Sequence, residues 1–165
     1  MSDLPLHPAI VHVPLGLALA VPFVLAWIGA SVLRGALPTK AVWTAVLLQA
    51  ILVLGGVASL ATGDEEAERV HSVVPHDAIE EHEHDAQLFV FLSGLSLAAS
   101  IAAAVARTDA QRKGGLAVAF LLSAFGLAMG LDAGHHGGEL VFRHGAANVP
   151  LDAAGGSSGE QDDDH

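Results

Sequence analysis

The sequence predicts an all-α fold: a four-helix transmembrane bundle with a histidine- and acid-rich outer mouth and a short segment after the fourth helix. Three observations predict it. The 165-residue chain is 52% hydrophobic, and its apolar residues gather into four blocks, 8–33, 41–62, 86–106 and 115–131. Such lengths suit a bilayer core, which takes roughly 17–25 apolar residues per helix. Within the blocks the strongly polar side chains are His12, Gln49 and Gln87 alone, whereas a soluble bundle would carry charges on an outward face at every turn. Finally, most of the seven basic residues fall in two short loops, Arg34 with Lys40 and Arg107 with Arg112 and Lys113. By the positive-inside rule those loops are cytoplasmic, and both termini are periplasmic.

Helix one is expected from near Pro8, a residue suited to the first helical position, to about residue 34. "MSDLPLHP" lacks the basic start of a signal peptide, so the segment reads as a retained anchor. "GALPT" makes the inner turn. Helix two is expected over 41–63, and "DEEAERVHSVV" continues it into water until Pro75. Asp77 is the expected N-cap of helix three, with Glu80 completing a capping-box-like start. Helix three spans the membrane over 85–106 and helix four over 115–134. Trp27 and Trp43 lie towards the inner face, where an aromatic belt would hold them. Residues 1–147 form the membrane domain. The Gly/Ser-rich acidic stretch 148–165 reads as a disordered tail.

Composition excludes several functions. With no cysteine there is no disulfide, thiolate metal site or thiol catalysis. The net charge of −11 falls almost wholly on the outer side and argues against nucleic acid as a partner. The histidines are more informative. Apart from His165 in the tail, every one lies at or near the outer face: His7 and His12 before or in helix one, His71 and His76 after helix two, His82 and His84 opening helix three, and His135, His136 and His144 after helix four.

Acids travel with them. Residues 64–85 carry nine carboxylates and four histidines against a single Arg69, a density that repels itself unless protons or cations neutralise it. "ERVH" sets Glu68 three residues before His71, with Glu65 one turn earlier. "EHEH" sets Glu81 three before His84, beside His82. Positions three apart share a helix face, and Glu-x-x-His from each of two helices is the ligand pattern of carboxylate-bridged di-iron and di-manganese bundles. Helix four adds Asp132, His135 and His136 at the same kind of spacing. An ionisable residue at the membrane boundary is costly and defaults to a functional reading. Gly137 and Gly138 are expected to turn the chain sharply, so that "ELVFRH" lies across the outer mouth and brings His144 over the site.

Two stretches, "HPAIVHVPLGL" at 7–17 and "GHHGGELVFRHG" at 134–145, resemble the start and end motifs of a bacterial family of small four-span membrane proteins of unknown function. The family pattern is an HPxxVHxPI-like start and a GGxLVxxHG-like end, and the resemblance covers most of residues 5–147. It implies a bacterial inner-membrane protein and points to His7, His12, Gly137, Gly138, His144 and Gly145. It supplies no activity.

The leading functional expectation is a non-haem, multinuclear-capable metal site at the outer mouth, with a redox or electron-transfer role. Mixed imidazole and carboxylate donors suit iron first, then zinc or manganese. A quinone or a periplasmic electron carrier would be its partner, and an oligomer is compatible. One alternative is a b-type cytochrome, with bis-histidine haem between His12 and a histidine of helix three or four. Another is a metal or pH sensor or transporter without redox chemistry, its histidines titrating near neutral pH.

Overall fold

The structure, a computed structural model, describes residues 10–71 and 73–146. Among the described residues, four long helices run in chain order: α1 (His12–Leu33), α2 (Val42–Val70), α3 (His76–Ala104) and α4 (Asp109–Phe142). All four are long and apolar enough to cross a membrane. Successive helices run up and down and form a closed ring of packed pairs, with α3 and α4 the most extensive pair. The end carrying Arg34, Lys40, Arg107 and Lys113 is called inner here, and the opposite end outer.

Local sequence explains the inner turns. After α1, Gly35 takes φ +74°, a left-handed conformation that glycine adopts without a Cβ clash. This lets the Gly35 and Ala36 N–H groups bond back to the Val32 and Ser31 carbonyls at 3.0 and 2.8 Å, the closure typical of helix C-termini. Pro38 then leads through a 3-10 turn, Thr39–Ala41, into α2. At the start of α4, Thr108 Oγ1 accepts from the Gln111 N–H while Gln111 Oε1 accepts from the Thr108 N–H, a reciprocal capping box. Thr108→Ala is expected to lower stability by about 1 kcal/mol, read by thermal unfolding in detergent with helix content unchanged.

The outer ends depart from the sequence expectation in two places. α3 begins after Pro75, with Asp77 in its first turn and no side-chain cap; Asp77 therefore complements the helix dipole instead of capping it. More consequentially, α4 does not turn at Gly137 and Gly138 but continues as helix to Phe142. The reason is tertiary. Val70, Val74 and Ile79 form a small buried cluster beyond the apolar blocks, and Leu140 packs against it, so the helix gains apolar burial that outweighs the weak helix propensity of glycine.

The main core is a stripe of Ala18, Val21, Leu25 and Ile28 on α1, meeting Leu52, Phe89, Leu116 and Ala119 from the other helices. Large apolar side chains also face outward, including Phe23, Trp27, Leu54, Leu121 and Phe125. Helices that are apolar on all sides and exposed in a monomer belong in lipid. α4 is 34 residues long, about 50 Å at 1.5 Å per residue, against a hydrocarbon core of about 30 Å. Its outer turns must stand clear of the hydrocarbon.

Candidate functional site

That overhang carries the site. The first ten residues of α3, "HDAIEEHEHD", precede its apolar block and lie alongside the last turns of α4. His82 is half-buried between them, its Nδ1 2.9 Å from the Ala133 carbonyl oxygen. A carbonyl can only accept, so Nδ1 carries the proton and Nε2 keeps a lone pair. The ring lies over Gly137, where an added Cβ would stand 3.1 Å from His82 Cε1. Gly137 is a seat for an imidazole, not a turn.

His136, one residue earlier on α4, has its Nδ1 2.9 Å from Asp85 Oδ2. Its Nε2 stands 3.7 Å from Glu81 Oε1, too far for a hydrogen bond. The His136 and Asp85 side chains are 23% and 17% exposed, whereas that of Glu81 is 66% exposed. A fixed imidazole–carboxylate pair therefore sits beside a carboxylate free to rotate. The arrangement resembles the outer shell of metal-binding histidines, in which one ring nitrogen donates to a carboxylate or carbonyl and the other is left to ligate.

Burial pushes the His82 imidazole below its ordinary pKa of 6.5; the Ala133 hydrogen bond opposes this, His136 adds to it, and Glu83 and Asp85 oppose it. The native site thus binds fewer protons than the opened chain between the lowered value and pH 6.5. Stability is full above 6.5 and falls as pH drops through that window. In metal-free protein, His82 is expected to titrate below pH 6.5 by NMR, and amides over 133–142 to show lower protection factors, corrected for intrinsic exchange, at pH 5.5 than at 7.5. Equal protection factors at both values would remove the effect.

Of the residues singled out by the sequence, Glu81, His82 and His136 come together. Asp85 joins them, although the sequence singled it out only as one of nine carboxylates over 64–85. Its signal was the spacing of three from His82, which puts both on the face turned to α4. His135 lies on the outer side of α4, its Nε2 3.9 Å from Glu139 Oε1 and its ring 5.7 Å from that of His136. Asp132 is exposed, so the Asp132, His135 and His136 stripe does not face inward as a unit. Glu65, Glu68 and His84 are exposed as well, and neither Glu-x-x-His pair turns into the bundle.

The other histidines are dispersed. His71 stacks obliquely on His76 at 5.2 Å, with His76 Nε2 3.2 Å from Glu80, at the tip of the α2–α3 hairpin. His144 is half-buried just past α4, its N–H bonded to the Glu139 carbonyl at 3.1 Å. His12 is exposed at the start of α1. His7 and the tail 148–165 lie outside the described residues. Among the described residues, no group of three or more His, Asp or Glu side chains is gathered closely enough to hold a metal ion as it stands.

No curated protein and no solved structure matches this chain. A family model does: the one described as predicted membrane protein (DUF2231) matches residues 3–150, taking in all four helices and the hairpin that holds His82 and His136. The chain is an integral membrane protein and belongs to the DUF2231 family.

Proposed function

We propose that the outer end of the α3–α4 hairpin binds a transition-metal ion, iron first and zinc or manganese next, and serves redox chemistry or electron transfer at the periplasmic face of a bacterial inner membrane. One observation carries the reading: two imidazoles on different helices each have Nδ1 committed to a fixed acceptor, Ala133 for His82 and Asp85 for His136. Both Nε2 atoms are thereby left in the tautomer that ligates a metal.

Glu81 supplies the third donor, because its exposed carboxylate needs only a side-chain rotation to approach His136 Nε2. Two histidines and one carboxylate leave coordination positions open, the pattern of non-haem iron(II) sites that react with small molecules. The Asp85 carboxylate fixes the orientation of the His136 ring and offsets part of the ion's charge. His135 and Glu139, on the next face of α4, are the donors for a second ion in a multinuclear site. A quinone or a soluble periplasmic carrier would then exchange electrons at the outer mouth.

Bis-histidine haem between His12 and a histidine of α3 or α4 would need only two axial imidazoles and an apolar slot, and it would leave the carboxylates around His82 and His136 without a role. Elemental analysis with a visible spectrum of the detergent-purified protein separates the readings. One or more equivalents of iron, zinc or manganese without a Soret band supports the site. An intense Soret band moves the protein to the cytochromes. A natively folded protein that binds none of these ions leaves pH sensing as the better function for the histidines.

A further inference from the structure

The middle of the bundle holds a second polar network, remote from the outer site. Gln49 of α2 and Ser96 of α3 are 2% and 1% exposed. Gln49 Nε2 donates to Ser96 Oγ at 3.1 Å, and Ser96 Oγ donates to the Ala119 carbonyl of α4 at 2.8 Å. A serine hydroxyl has one proton to give. Because the Ala119 carbonyl takes it, Gln49 must present its amino group to Ser96, which leaves Gln49 Oε1 as a buried acceptor with no protein partner.

Beside this network lies a cavity of about 10 Å³, lined by residues including Ala18, Gln49, Phe89, Ser93, Ser96 and Ser123. The serine hydroxyls of its wall are left as acceptors. Ser93 and Ser123 have spent their protons on the Phe89 and Phe120 carbonyls, at 2.8 and 3.0 Å. Ala18 lies four residues before Pro22 in α1, and proline has no N–H, so the Ala18 carbonyl lacks its helical donor. In a bilayer core no bulk water is at hand to satisfy such a group, so leaving it unpaired is costly.

We infer that this cavity is a binding site for one water molecule, which donates to Gln49 Oε1 and to the Ala18 carbonyl. The volume is at the lower limit for a single water and excludes a quinone or a haem. No carboxylate lines the cavity to balance a cation, which favours a neutral donor. Such a bridge joins α1 to the α2–α3–α4 network, so the proline of α1 and the glutamine of α2 form one device that links all four helices.

Water-edited solid-state NMR on the protein in phosphatidylcholine vesicles tests this, with Gln49→Leu used to assign the Gln49 carboxamide signal. The native protein is expected to show transfer from water to that carboxamide. Ser93→Val replaces a hydroxyl with methyl groups in the cavity while sparing the Gln49–Ser96 pair. It should reduce the transfer to the level of lipid-facing Phe125, with the carboxamide shift retained; Ser123→Val provides the same test from α4. No transfer in the native protein, or undiminished transfer in both folded variants, overturns the site. A carboxamide shift that depends on exchanging sodium for choline also overturns it, by making the occupant a cation.

Discussion

Removing either imidazole, by His82→Ala or His136→Ala, is expected to lower metal affinity by at least about 100-fold, since each removes a proposed ligand outright and histidine is the stronger donor of the set for iron or zinc. Asp85→Asn should cost about 10–100-fold, the usual range for an outer-shell partner. The amide can still accept from His136 Nδ1 but no longer offsets positive charge. Gly137→Val should fall in the same range, because its Cβ would push on the His82 ring from 3.1 Å. His84→Ala, on the exposed side of α3, should change affinity less than about twofold, within the scatter of a surface substitution. Metal titration of each variant, with helix content followed by circular dichroism, reads all five. Equal loss in His84→Ala and His136→Ala would show that the acidic surface binds cations diffusely, with no defined site.

Gly115→Val is expected to destabilise the membrane bundle at its inner end. An added Cβ there would meet Ala103 Cβ at 2.9 Å and the Ala103 backbone N and Cα at 3.1 Å. Backbone atoms cannot rotate away, so α3 and α4 must separate along their most extensive contact, at a cost of about 1–3 kcal/mol for overpacking. Its neighbour provides the control. Gly114 has nothing within 4 Å of an added Cβ, and Gly114→Ala should stabilise α4 by about 0.5–1 kcal/mol through helix propensity alone. Thermal unfolding in detergent should therefore move in opposite directions for two adjacent glycines. Movement in the same direction would mean that α3 and α4 are not this close at the inner end.

The four spans were legible because bilayer thickness imposes a length on apolar runs, and no soluble helix of this chain competes with that reading. The convergence of histidines on one end followed from topology alone. The course of the chain at Gly137 and Gly138 was not legible, since two glycines signal a turn locally and only the burial of Leu140 and the seat under His82 reverse that preference. Spacing of three identified which residues share a face on α3 but not which face turns towards α4. Glu81 with His84 and His82 with Asp85 satisfy the same rule, and the second pair faces the partner helix. Thr108 and Gln111 met the reciprocal capping pattern and were overlooked between two stronger signals, the basic loop and the apolar run.

α3 and α4 each run without interruption from the central hydrogen-bond network to the outer histidines. Each helix is therefore a lever. From Ser96 to His82 the arm is about 21 Å at 1.5 Å per residue. A tilt of about 5° pivoting at Ser96 would shift the His82 end by about 2 Å on that arm, enough to break a hydrogen bond to the Ala133 carbonyl. The stiffness of the Gln49–Ser96–Ala119 pivot would thus set how far apart the two imidazoles can drift. Loosening it would blunt the geometry of the outer site from a distance, with none of its own residues changed.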